Sequence, residues 1–147
     1  DELGLSTKGL VAASPRPSDI EMGGELFGKV LAEVPEVTAV FTCNDDLALG
    51  TLFECQRRGI AVPGEIAIIG FNDLDFAVAS VPTLSSVSTE RRKMGTWAAD
   101  AILEIIRGSG RRPDPASIDI GFSIQERGST AARAAGTRAA GRVRARA

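Results

Sequence analysis

Residues 37–71, VTAVFTC-NDDLALGTLFECQRRG-IAVPGE-IAIIGF, decide the fold. The two ends, 37–43 and 66–71, are almost wholly apolar and rich in β-branched residues; Pro35, Asn44 and the Pro63-Gly64 pair punctuate them. A strand with one wet face alternates apolar and polar residues. These two do not, so both faces of their sheet are expected to be covered. Between them, residues 46–58 read as a helix. Acids stand in its first turn, Leu47, Leu49, Leu52 and Phe53 supply a core face, arginines close the last turn and Gly59 stops it. Strand, helix and strand in that order are the pattern of a parallel sheet with helices against its faces.

The same pattern extends both ways. Upstream, the apolar run 9–13 (GLVAA) is expected to be the first strand, broken by SPRP. Ser18, with Glu21 three residues on, forms a capping box and opens a helix to about Glu33, whose stripe is Ile20, Gly23, Phe27, Val30 and Leu31. Downstream, 72–83 is a loop or short helix and 84–87 one more short strand. The segment 90–107 carries the strongest helical periodicity, with Met94, Trp97, Ala98, Ala101, Ile102 and Ile105 on one stripe, so core packing is the default role for Trp97. Residues 117–125 alternate strictly, as a half-exposed or edge strand does. The expected architecture is a doubly wound, mainly parallel α/β sheet.

Composition narrows the function. With no histidine in 147 residues, the commonest general base and most zinc sites are gone. Cys43 and Cys55 have no metal-ligand spacing and lie in apolar runs, as buried free thiols of a reducing, cytoplasmic protein would. No apolar run is long enough to span a bilayer, and no signal sequence opens the chain. Residues 1–126 hold eleven basic against nineteen acidic residues, a net of −8, which suits nucleic-acid phosphates poorly. Residues 127–147, all Arg, Ala, Gly and a few others, are expected to be a disordered tail beyond the folded body.

In an open parallel α/β sheet, ligands bind beyond the carboxyl ends of the strands. That rule selects Ser18, Asn44-Asp45-Asp46 and Asn72-Asp73, small polar residues that donate and accept hydrogen bonds, as neutral polyhydroxy ligands require. Each also has a plainer use, since Ser18 and Asn44 or Asp45 suit helix caps and Asn72-Asp73 suits a turn. Catalytic sets do not assemble. Asp45, Asp46 and Asp73 could suggest a phosphoacceptor cluster, but the three lysines, Lys8, Lys29 and Lys93, stand nowhere near a later strand end. Gly4 and Gly9 have phosphate-loop separation, yet Leu10 stands where lysine is required, and no G-x-G-x-x-G follows a strand. No cofactor is expected.

Phe41–Gly50 (FTCNDDLALG) resembles the N-D-x-x-A-x-G signature of LacI/GalR-type transcriptional repressors, and RGIAVPGEIAIIGFND, residues 58–73, resembles their GxxVPxDxxVxGFDD segment. Residues 82–87 (PTLSSV) are similar to the family's P-x-L-T-T-V, and Met94-Gly95 to the M-G of its next helix. Residues 53–57 (FECQR) look most like the gluconate-operon repressor branch. The resemblance implies a periplasmic-binding-protein-like effector domain and no enzyme. A sugar or sugar acid would be bound by Ser18, Asn44, Asn72 (where the family usually has Asp) and Thr89. It also implies a homodimer through Leu49, Phe53, Phe76 and Ser80, and DNA contact only through a helix-turn-helix headpiece outside these residues. Helix 90–107 would pack on a partner subdomain; left alone, it is expected to fold back onto its own sheet or to pair with another chain. A periplasmic sugar-binding protein of the same fold and a phosphotransfer receiver domain are the alternatives.

Overall fold

The computed structural model describes residues 8–109 and 117–131. Its elements run α1 (Ile20–Glu33), β1 (Ala39–Phe41), α2 (Asp45–Arg58), β2 (Ala67–Phe71), a 3-10 turn (Asp75–Ala77), β3 (Ser85–Thr89), α3 (Arg91–Glu104), β4 (Phe122–Gln125) and a second 3-10 turn (Gly128–Thr130). The sheet order is β1-β2-β3-β4. β1 pairs parallel with β2 (Phe41 opposite Ile69) and β2 with β3 (Phe71 opposite Val87), while β4 joins antiparallel (Ile124 opposite Val87). A mainly parallel α/β sheet is what the strand–helix–strand pattern implied.

Local chemistry explains α2 end to end. Asn44 caps it by accepting from the Leu47 N–H at 2.9 Å, and Asp45 and Asp46 sit at its positive end. Arg57 and Arg58 close the last turn, and Gly59, at φ 68°, supplies the left-handed residue that ends it. The cap of α1 is Asp19, accepting from Met22 N–H at 2.8 Å, and not Ser18 as the capping box implied. Both residues are good caps; the helix starts one position later, and Ser18 is left free for another partner.

The core is one cluster: Phe27 from α1, Ala48, Leu49, Leu52 and Cys55 from α2, Ile66 and Ile68 at β2, with Ala77 and Leu84. The α1–α2 crossing is tight because glycines meet there. A Cβ on Gly23 would come 2.3 Å from the Leu47 carbonyl oxygen, and one on Gly50 would meet Ile20 and Gly23.

Four expectations change. Residues 9–13 form no strand; a cavity of about 490 Å³ lined by Leu10, Val11, Phe27, Val30, Val40 and Phe41 separates them from the outer edge of β1. The sheet is covered on the α2 face, whereas Phe41 (61% exposed) and Ile124 (56% exposed) open the other face to solvent. α3 does not fold back: none of its residues is buried, Ile102 is 56% exposed and Trp97 is half-buried, so its apolar stripe has no cover within the described chain. Lastly, the folded body runs past Glu126. Ser129 is fully buried, its hydroxyl accepting from Ser85 N–H at 2.8 Å and donating to the Ile68 carbonyl at 2.6 Å, where β2 and β3 begin. The remainder of the tail from residue 132 lies outside the described residues.

The cysteines also part company. Both are free, but Cys43 is exposed and only Cys55 is buried. Burial pushes the Cys55 thiol up to about 12. An unfolded thiol ionises near pH 8.5–9, so the unfolded chain sheds its proton first; this contribution is intact below about pH 9 and drains away as pH rises towards 12. Native protein treated with a maleimide at pH 7 should take one adduct, at Cys43, and two only after unfolding; mass spectrometry counts them. Prompt double labelling of native protein would mean that the α2 core opens.

Candidate functional site

The carboxyl ends of β1, β2 and β3 lie at one edge of the sheet because the three strands are parallel and adjacent. That edge gathers all four expected ligand-facing residues. Asn44 follows β1, Asn72 follows β2 directly, and Thr89 is the last residue of β3. Ser18 reaches the same place through the Asn44 side chain, whose Nδ2 donates to Ser18 Oγ at 2.7 Å.

Their polar atoms are not equally engaged. Asn44 caps α2 and holds Ser18, so the plain capping use and a rim position coincide in one residue, with one N–H left to offer. Ser18 is exposed. Asn72 has its backbone N–H on the Val87 carbonyl at 2.9 Å, while its half-buried side-chain amide bonds to no described residue. The Thr89 hydroxyl is likewise unpaired among the described residues and half-buried. Donors and acceptors of both kinds are therefore gathered along one lip.

What shapes the lip is a buried carboxylate. Asp45 is fully buried; Oδ1 accepts from the Ser86 hydroxyl and Oδ2 from Leu74 N–H, both at 2.7 Å. Ser86 Oγ in turn accepts from Asp73 N–H at 3.0 Å. One side chain thus ties the start of α2 to β3 and to the loop after β2. Gly70 makes room for it: a Cβ there would run into Asp45 Oδ1. Beside the tie, Asn72 and Asp73 take φ of 103° and 54°, which Asn and Asp tolerate better than other side chains.

Asp73 is also held from outside. Arg127 Nη2 donates to Asp73 Oδ1 at 2.7 Å, a pair only 17% and 22% exposed, and Arg127 Nη1 donates to the Leu84 carbonyl at 2.8 Å. Arg91 Nη2 donates to the Asp73 backbone carbonyl at 3.1 Å. Sequence reasoning missed this pair of arginines. Arg127 sat in a segment read as tail, and Arg91 in the polar face of a helix; no periodicity marks either. Asp45 was weighed as a phosphoacceptor, but its two oxygens are occupied by structural partners.

The residues expected to bind a second chain divide. Leu49 is 8% exposed and belongs to its own core. Phe53 is 42% exposed, Phe76 and Ser80 are half-buried, and Val78 and Val81 stand exposed beside them, with Gln56 Nε2 bonded to the Val81 carbonyl at 2.7 Å.

Known proteins share this arrangement. The family of periplasmic binding protein-like domains matches residues 2–130. The HTH-type transcriptional regulator GntR of Pseudomonas aeruginosa is 46% identical over 127 residues, 86% of this chain and 36% of that protein. The solved transcription regulator GntR from Chromobacterium violaceum superposes with a TM-score of 0.75 at 44% identity, over 83% of this chain and 44% of its own. A transcriptional regulator CelR–cellobiose complex superposes with a TM-score of 0.71 at 25% identity, over 76% of this chain and 33% of its own. The chain therefore spans between a third and a half of these three relatives. No helix among the described residues is long and apolar enough to cross a membrane. By its matched family, its relatives and its sheet, the chain belongs to the periplasmic-binding-protein-like domains of LacI-type transcriptional regulators.

Proposed function

We propose that this chain is one wall of the effector cleft of a transcriptional regulator, and that Ser18, Asn44, Asn72 and Thr89 hydrogen-bond a small sugar or sugar acid. The observation that carries the reading is their gathering at the carboxyl edge of three parallel strands, with the Asn72 amide and the Thr89 hydroxyl unspent among the described residues. Among the relatives, CelR was solved with cellobiose bound. Effector binding would shift the relation between this wall and a second subdomain, and so the DNA affinity of a headpiece outside the chain, a coupling of about 1–3 kcal/mol in such systems. No catalytic role is assigned. The receiver alternative loses its phosphoacceptor, because Asp45 is buried and tied on both oxygens. The reading places the regulator in the cytoplasm with its DNA.

Calorimetry against a panel of sugars and sugar acids tests it. The best ligand should lose about tenfold in affinity for Thr89→Val, which keeps shape and removes the hydroxyl. Asn72→Asp keeps the acceptor and removes the amide donors, so it should reorder the panel. Unchanged affinities in both variants would remove the lip from the account.

The second element of the proposal is a homodimer through Phe53, Phe76 and Ser80, with Val78 and Val81 completing an apolar surface that water does not favour. Phe53→Glu should convert the dimer to monomer in sedimentation equilibrium. A dimer indifferent to that change would place the contact elsewhere.

A further inference from the structure

The Asn72 side chain has no partner among the described residues, yet the residue after it is held from three sides. Asp73 donates its N–H to Ser86 Oγ at 3.0 Å, its carbonyl accepts from Arg91 Nη2 at 3.1 Å, and its carboxylate accepts from Arg127 Nη2 at 2.7 Å. These partners come from β3, the start of α3 and the segment after β4. A turn that needed only its backbone shape would be served by glycine, which takes positive φ at no steric cost. Here both positive-φ positions carry side chains. That of Asp73 is spent on Arg127, and that of Asn72 is left over.

Arg127 is itself braced. Its Nη1 donates to the Leu84 carbonyl at 2.8 Å and its backbone N–H to Ser85 Oγ at 2.8 Å, so the guanidinium is fixed to the start of β3 as it reaches Asp73. The next residues anchor it further. Gly128 N–H donates to Thr83 Oγ1 at 3.0 Å, and the buried Ser129 hydroxyl joins Ser85 N–H to the Ile68 carbonyl. The Arg127–Asp73 pair is largely buried, so salt screens it weakly. A planar fork holding two acceptors fixes direction as well as distance. From this we infer that Arg127 is a positioning residue for the lip: by gripping Asp73 it sets the backbone at Asn72, and so where the Asn72 amide meets a ligand. The inference rests on the lip being the effector site. An Asn72 released to other conformations is competent only part of the time, and the apparent affinity falls by that fraction.

The test uses the whole 147-residue chain, ¹⁵N-labelled, in four forms: wild type, Arg127→Gln, Asp73→Gly and Ser129→Ala. Asp73→Gly lets the turn form freely but leaves Arg127 nothing to grip, and it reads the same outcome if Arg127→Gln does not fold. Ser129→Ala weakens the same anchor without touching Asp73. Positive φ at Asn72 is read from its strong intraresidue HN–Hα NOE, and binding from shifts at Asn72 and Thr89 on titration with sodium D-gluconate and with D-glucose. Arg127→Gln and Asp73→Gly should each lose the Asn72 NOE and bind the better probe about tenfold more weakly. Ser129→Ala should unfold at lower urea yet keep both the NOE and the affinity. Wild-type affinity in Arg127→Gln or Asp73→Gly, a loss of affinity with the NOE intact, or an equal loss in Ser129→Ala overturns the positioning role while the lip stands. No shift at Asn72 or Thr89 with either probe in wild type overturns both.

Discussion

Gly50→Val should cost at least about 3 kcal/mol and leave most of the protein insoluble, the largest effect expected of any single side chain added to this fold. Gly50 is buried where α2 crosses α1, and a Cβ there would lie closer to the Ile20 carbonyl oxygen than any bond-free contact allows and 3.0 Å from Gly23 Cα. Both obstacles are backbone, so no rotamer change relieves them. The helices must part, and Phe27, Leu49 and Leu52 lose contacts with them. Gly95→Ala is the matched control. It sits in α3 with nothing within 4 Å of a new Cβ, and should stabilise by about 0.5–1 kcal/mol through helix propensity alone. Urea denaturation reads both; a Gly50→Val protein with native-like stability would mean that the α1–α2 crossing is not as close as described.

Asp45→Ala is the second large effect, about 3 kcal/mol. The loss comes from what remains: a buried Ser86 hydroxyl and the Leu74 N–H, each without its acceptor, around an emptied volume. Asp45→Asn keeps one acceptor oxygen and should cost roughly half as much. The distinctive consequence is local. Without the tie, the positive-φ turn at Asn72 and Asp73 loses its anchor to α2, so hydrogen exchange should speed up at Asp73 and Leu74 before it does in β2. Uniform acceleration across the sheet would reduce Asp45 to an ordinary core residue.

The limits of legibility follow from the same physics. The alternation of apolar strands with capped helices made β1, α2 and β2 readable, because each is determined within its own sequence: Asn44 at one end of α2, Gly59 at the other, unbroken apolar runs on both sides. The strand-end rule then selected Ser18, Asn44 and Asn72 without any knowledge of packing, and only the family resemblance added Thr89. What stayed hidden depends on partners distant in sequence. Asp45 meets Ser86 and Leu74, Arg127 meets Asp73, and Ser129 closes the start of β3, at separations of 29 to 61 residues. Composition even misled at the last two, since an Arg-, Ala- and Gly-rich context marks disorder and the first few residues of that segment are folded. Residues 9–13 and α3 failed for a related reason. An apolar stripe says that something covers it, and not what; here neither stripe finds its cover among the described residues.

A crystal of the protein grown with its best ligand decides the matter most directly. The account predicts ligand oxygens within hydrogen-bond reach of the Asn72 amide and the Thr89 hydroxyl, with Asn44 alongside. Density for the ligand elsewhere, such as the cavity of about 500 Å³ between α1 and α2 bordered by Gly24, Gly28, Phe53 and Arg57, with the strand-end lip empty, would contradict it.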